Sequence, residues 1–197
     1  MLRRVDQACK AVLADSCSVQ NVLSSPTLHA ACVRGEFHFA VTKYCLYECL
    51  DKPRKKPKDG DFKIRQRLRD ARAKGSFGEH ALSVEDLQEV ALLQLRKRVG
   101  AGELSTIALA KRFGIGMQTD DDRAEKFAAE ILGDSRVQTT PHILGWMFFH
   151  GLLADHQLGV VVEEHLEVGG SLRERFEEAH VEACRARLLA QSSNGSD

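Results

Sequence analysis

"GAGELSTIALAKRFGIGMQTDDDRAEKFA", residues 100–128, reads as a helix, a short strand and the opening of a second helix. Leu104, Ile107 and Ala108, with residues 111–113 after them, fit a helix between Glu103 and Gly114, and that glycine is its stop. Residues 115–119 form a strand candidate. Asp120, Asp121 and Asp122 then stand side by side, and Phe127, Ile131 and Leu132 mark a further helix closed by Gly133. Adjacent like charges repel, and a core strand has no need of them. So much negative charge, placed where a strand hands over to a helix, asks for a chemical reason.

The same rhythm recurs toward both ends. "KAVLAD" (residues 10–15) is an apolar run ending in Asp15, and "EFHFAVT" (36–42) is β-rich and leads into the helical "KYCLYECL" (43–50). "SRVQTT" (135–140) is a fourth strand candidate, followed by Pro141 at the first position of the helix "HILGWMFFHGLLA" (142–154). Strand alternating with helix predicts a parallel sheet covered by helices, an α/β fold. In such sheets chemistry collects at the carboxyl ends of the strands. Asp15 and the aspartate run fall at two of those ends.

Residues 51–83 interrupt the alternation. "DKPRKKPKDGD" (51–61) reads as an exposed loop and "FKIRQRLRDARAK" (62–74) as a short basic helix. Between Lys52 and Lys74 stand eleven Lys and Arg against three Asp, an excess of eight positive charges in a chain whose net charge is zero. That asymmetry predicts a basic arm on an acidic body. Ser83, with Asp86 three residues on, marks the start of a helix over 83–98. "SLRERFEEAHVEACRARLLA" (171–190) is an amphipathic helix capped by Ser171, with Leu172, Phe176, Ala179, Ala183 and Leu188 on one face. It either packs on the domain or offers a homodimer or partner surface. The closing "QSSNGSD" (191–197) reads as a disordered tail.

The composition, 43% hydrophobic and 28% charged over 197 residues, is that of an ordinary globular protein. The opening residues lack the long apolar core of a signal peptide, and the most apolar stretch, 143–153, falls short of the about 20 residues a membrane span takes. A cytoplasmic protein without a membrane partner is the expectation, and the six cysteines are then thiols. Cys45 and Cys49 lie four apart, but no second pair completes a zinc pattern, so they read as small buried residues. His142, His150, His156, His165 and His180 share no ligand spacing and read as structural or surface residues.

Four places put acids where this fold gathers them: Asp15, Glu48 in the helix after the second strand, Glu103 behind two glycines, and the aspartate run. Each alone reads as a cap, a turn residue or a solvated helix residue. Their joint position points further. Converging carboxylates repel and raise one another's pKa unless a cation neutralises them. A hard divalent ion, Mg²⁺ or Mn²⁺, prefers such oxygen ligands.

The sequence resembles the PIN-domain nucleases, which include the ribonuclease toxins of bacterial toxin–antitoxin pairs. "VLADSCSVQNVL" is similar to the opening strand and helix of that family, and "FAVTKYCLYECL" to its second strand and the helix whose Glu points into the site. "GAGELSTIALAKRFGIGMQTDDDRAEKFA" resembles its Gly-x-Gly-Glu helix, strand and Thr-x-Asp element, and "RVQTTPHILGWMFFHGLLA" its closing strand and helix. The resemblance spans residues 10–160. It implies a three-layer α/β domain over 1–160, with 51–82 as a basic insertion longer than the family's minimum and 161–190 as a helical extension. It also implies a metal-dependent endonuclease, most often acting on RNA. Carried over, Asp15, Glu48, Glu103 and Asp121 are the catalytic metal-site acids, Thr119 supports them, and Asp120 exchanges with Asp121 if the strand ends a residue earlier. The basic segment, through Lys52, Arg54, Lys55, Lys56, Lys58 and Arg65, then neutralises a nucleic-acid backbone, RNA first and DNA not excluded. Two other uses of that segment stay open, a solvated surface and a dock for an acidic antitoxin-like protein. A toxin is one role for such a nuclease. The rival function is a PIN-like module without catalysis that binds RNA or a protein.

Overall fold

Val12, Leu13 and Ala14 are almost wholly shielded from solvent, and the strand they form, β1 (Ala11–Ala14), is the middle one of a five-stranded sheet. A computed structural model describes residues 5–53 and 56–194, with side chains through Ser192. From β1 the chain runs through α1 (Ser16–Ser24) and α2 (Pro26–Arg34) to β2 (His38–Thr42), α3 (Lys43–Leu50), α4 (Asp59–Ala73) and β3 (Phe77–His80). It continues through α5 (Val84–Arg96), α6 (Ala101–Phe113), β4 (Gly116–Gln118), α7 (Asp122–Leu132) and a 3-10 turn (Asp134–Arg136). β5 (Val137–Gln138), α8 (Thr140–Phe149), α9 (Gln157–Glu167) and α10 (Arg173–Asn194) complete it. The strand order is β3-β2-β1-β4-β5 with every pairing parallel. The architecture is the three-layer α/β sandwich expected.

Successive residues of a strand face opposite sides of a sheet, and here they feed two cores. Val12 and Ala14, with Phe39 and Val41 of β2, pack into one core together with α1, α2, α8 and the C-terminal helices. Leu13, with Met117 of β4 and Val137 of β5, packs into the other beneath Ile107 and Leu109 of α6 and Phe127 of α7. Helix boundaries follow local chemistry. Ser25 caps α2 ahead of Pro26, Thr42 caps α3, and Ser83 and Asp86 form a capping box on α5. Gly114, in the left-handed region at φ 65°, ends α6 as the sequence predicts.

The four expected strands are present, each shorter than its apolar run. The fifth, β3, lies inside the segment read as a basic insertion. Its sequence, Phe77-Gly78-Glu79-His80, offers a single apolar residue, because an edge strand paired only to β2 has one ring to bury. Phe77 stacks on Phe39 with centroids 5.0 Å apart. The basic helix, α4, starts at Asp59, where the Asp61 carboxylate accepts from the Lys58 amide at 2.9 Å.

The C-terminal helices belong to the first core: Val161, Phe176 and Ala183 pack with Val12 and Ala14. Leu188, assigned from the sequence to the apolar face of α10, is instead 67% exposed, since the helix overruns the body it packs on. α10 begins at Arg173, beyond Ser171, and stays helical through Asn194; residues 195–197 of the expected tail lie outside the described residues. His165 of α9 is fully buried. It accepts from the Leu172 amide at Nε2 (3.0 Å) and faces the Ser24 hydroxyl at Nδ1 (2.6 Å). Since Ser24 donates to the Asn21 carbonyl, the ring proton sits on Nδ1. Cys45 and Cys49 are buried thiols, as expected. Among the described residues no helix is long and apolar enough to cross a membrane.

Gly60, in the first turn of α4, runs against the backbone of Val168, and a β-carbon there would stand 2.7 Å from its Cα. Backbone cannot step aside as a side chain does. Gly60→Ala is therefore expected to destabilise the protein by about 1–3 kcal/mol, the usual cost of overpacking. A lower urea midpoint at unchanged slope is the measurement that checks it.

Candidate active site

The chain leaves the central strand first toward β2 and β3 and later toward β4 and β5, so β1 and β4 are neighbours from which it departs in opposite directions. A crevice opens at the carboxyl ends of such a pair. Asp15 lies at the end of β1 and its amide donates to the Gln118 carbonyl at 3.1 Å. It caps α1, with Oδ1 accepting from the Ser18 amide at 2.8 Å. The residue is fully buried, and Oδ2 meets no donor within hydrogen-bonding geometry. Burial pushes the carboxyl up to about 7, and the neighbouring Asp120 charge adds to this; the Thr119 hydroxyl and the Ser18 amide pull the other way.

Glu48 reaches this point from α3. Its Oε2 accepts from the Ser16 hydroxyl at 3.0 Å, and its Oε1 pairs with Lys52 Nζ at 2.8 Å. The carboxylate lies on the first turn of α6 at Gly102, where a β-carbon would stand 2.7 Å from Oε2. Only glycine admits the carboxylate there, beside a helix N-terminus that favours negative charge. Glu103, in the same turn, folds back over Gly100.

The aspartate run divides its work. Asp120 accepts from Asn21 Nδ2 of α1 (2.8 Å) and from the amide and hydroxyl of Thr140 of α8 (2.7 and 2.6 Å). Asp121 caps α7, Oδ1 accepting from the amides of Arg123 (2.9 Å) and Ala124 (2.8 Å), and its own amide donates to Thr119 Oγ1 at 3.3 Å. Asp122 points away, 3.7 Å from Arg175. Cys17 shows how closely the rest converge. Its thiol is pushed up to about 12, first by burial, although the residue reaches the surface, and then by the charges of Asp15, Asp120, Asp121 and Glu103. Lys52 is held in its charged form by the Glu48 hydrogen bond first, with Glu103 a lesser cause.

The five acids predicted from the sequence thus lie in one region about the ends of β1 and β4, near enough for their charges to act on Cys17 or Cys45. Their oxygens stand apart: among the described residues, the one group of three or more ligand atoms within 4.8 Å of one another is Asp155, His180 and Cys184, elsewhere in the molecule. The donor set suits a hard divalent cation nonetheless, because it is all carboxylate and Asp15 brings a buried oxygen that no donor satisfies. Asp121 uses a single oxygen for capping, whereas both oxygens of Asp120 accept hydrogen bonds.

The basic residues split. Lys52 is paired with Glu48, and Arg65 donates to the Lys52 carbonyl at 3.0 Å, so both shape the rim itself. Lys56 and Lys58 are exposed and, with Gln20 and Asn21, line a cleft of about 230 Å³ that reaches the crevice through Asn21. Arg54 and Lys55 lie outside the described residues. Sequence reasoning missed Ser16, Asn21 and Thr140 as donors to the acids, and it took Gly102 only as part of the Gly-x-Gly-Glu helix start, not as the residue that admits Glu48. Ser16, directly after Asp15, and Gly102, directly before Glu103, carried a local signal. No family model, no curated protein and no solved structure matches this chain.

The raised pKa of Asp15 sets a pH dependence. The folded state binds the Asp15 proton more tightly than the unfolded chain, so this group costs stability progressively as pH rises from about 4 to about 7 and at full value above. Asparagine caps a helix as well as aspartate does. In EDTA at pH 8, Asp15→Asn is expected to stabilise the protein, by up to about 4 kcal/mol at about 1.4 kcal/mol per pKa unit. The gain fades as pH falls from about 7 to about 4 and is absent below that; thermal melts across this range check it.

Proposed function

We propose that the protein is a divalent-metal-dependent endonuclease that hydrolyses phosphodiester bonds in RNA, in the manner of the PIN-like nucleases it resembles. The observation that carries this reading is the buried Asp15 oxygen without a donor, at the switch point of a parallel sheet and amid Glu48, Glu103, Asp120 and Asp121. Asp15, Glu48, Glu103 and Asp121 would hold Mg²⁺ or Mn²⁺, with Asp120 as the alternative to Asp121. Such an ion supplies polarisation of a phosphoryl oxygen and a more acidic attacking water. Asp15 would lose its proton to become a ligand, which a pKa of about 7 makes inexpensive. Thr119 would support the two acids, its hydroxyl oxygen accepting from the Asp121 amide and its hydroxyl holding the Asp15 carboxyl lower than burial alone would. Lys52 offsets charge at Glu48, and Lys56 and Lys58 hold the nucleic-acid backbone beside the crevice without reading bases. A place in a toxin–antitoxin pair is one biological use of this chemistry.

End-labelled single-stranded RNA and DNA, incubated with Mn²⁺, Mg²⁺ or EDTA, provide the test. Metal-dependent cleavage of RNA is expected, reduced about a hundredfold or more in Asp15→Asn, the scale of losing one preorganised electrostatic partner. Full activity in Asp15→Asn would remove the assignment. Absence of cleavage together with metal-independent RNA binding would favour the non-catalytic module. Lys56→Ala with Lys58→Ala is expected to weaken RNA binding and flatten its salt dependence by about 0.7 in log–log slope per lost phosphate contact.

A further inference from the structure

Far from the crevice, the turn before α9 carries Asp155 against one face of α10. His180 and Cys184, four residues apart on that helix, share the face. Asp155 Oδ1 lies 3.1 Å from His180 Nε2 and 4.0 Å from Cys184 Sγ, and that sulfur lies 3.5 Å from the same ring nitrogen. A tetrahedral zinc ion, with bonds of about 2.0–2.1 Å to nitrogen and oxygen and about 2.3 Å to sulfur, needs ligand atoms about 3.3–3.6 Å apart. The triangle is already near that size. His180 is positioned by the edge-on ring of Phe148, centroids 4.6 Å apart. Arg187, one turn further on, sends Nη2 to Asp155 Oδ1 (2.6 Å) and to the Cys184 sulfur (3.3 Å). A cation therefore already stands against the same carboxylate and sulfur.

We propose that Asp155, His180 and Cys184 form a zinc site with three protein ligands and water in the fourth position. The site does not depend on the nuclease reading. On binding, Cys184 loses its thiol proton to solvent and becomes a thiolate. His180 gives the lone pair of Nε2 with its proton on Nδ1, and Asp155 gives a carboxylate oxygen. Arg187, on a long side chain at the surface, withdraws to water and ceases to compete. The ligand types set the preference: thiolate and imidazole favour zinc over Mg²⁺ or Mn²⁺, which the all-carboxylate crevice suits instead. The ion would pin the α8–α9 turn to α10.

Cobalt(II) makes the site visible, because thiolate ligation gives a charge-transfer absorption that carboxylate ligation does not. The full chain carrying Cys17→Ser, which removes the thiol beside the crevice, is titrated with cobalt(II). The expected result is a charge-transfer band saturating at a single equivalent and erased by zinc. Cys184→Ala, and Cys184→Ser as the size-preserving second variant, abolish the band while circular dichroism stays native. His180→Ala weakens binding by at least about tenfold, since even outer partners of metal ligands contribute that much. Arg187→Gln tightens it a few-fold. A missing band, or one that survives in folded Cys184→Ala or Cys184→Ser, overturns the site.

Discussion

A carboxyl group without solvent, at the end of the central strand, is the constraint around which the rest is arranged. Burying a charge costs heavily unless it is paired or hydrogen-bonded, and Asp15 has one oxygen satisfied and one not. The surroundings limit that cost without removing it. The Ser18 amide donates to the satisfied oxygen, the Thr119 hydroxyl lowers the cost, and three of the neighbouring acids have donors of their own: Ser16 and Lys52 for Glu48, Asn21 and Thr140 for Asp120, two helix amides for Asp121. Those donors come from α1, α7, α8 and Lys52 just beyond α3, and Glu48 itself comes from α3, so the acids also tie four helices to the strand ends. A fold selected for stability alone would place an uncharged cap such as asparagine at position 15.

Much of this was legible from residues alone. The run from Gly100 to Ala128 announces α6, its glycine stop, β4 and α7, because each boundary rests on local chemistry. The acids were legible as a set for the same reason: a carboxylate after a short apolar run marks a strand end, and strand ends of a parallel sheet share one edge. Capping occupies a single oxygen of Asp121, which holds α7 through it and leaves the other for other uses. What stayed hidden is what tertiary structure alone creates. β3 has one buried ring and pairs on one side, so no periodicity betrays it. Thr140 donates to an acid twenty residues earlier in the chain, and Gly102 makes room for a side chain of another helix. Arg65, read as a phosphate contact, also binds the carbonyl of Lys52, a use that no charge count reveals.

The histidines divide in a similar way. His165 is structural, bonded through both ring nitrogens between α1 and the turn leading to α10. His180 shares its helix face with Cys184, a spacing that supplies two ligand atoms and no third until a distant turn delivers Asp155. The two acid-bearing regions differ in kind. The crevice offers oxygen alone and lies at a sheet edge; the α10 face mixes oxygen, nitrogen and sulfur on a helix and a turn. An all-carboxylate set and a mixed oxygen, nitrogen and sulfur set thereby lie at separate places on one chain.

The burial of Phe176 and Ala183 beside Val12 and Ala14 has a consequence for how the protein is made. A ribosome delivers β1 early, but the core on one of its faces stays incomplete until α10 has emerged, and its β4 partner lies more than a hundred residues downstream. Parallel pairing over such separations is slow and leaves apolar surface exposed in the meantime. The nascent chain therefore cannot finish its first half and move on. It must wait, with its central strand half-covered, until α10 has emerged to complete that core.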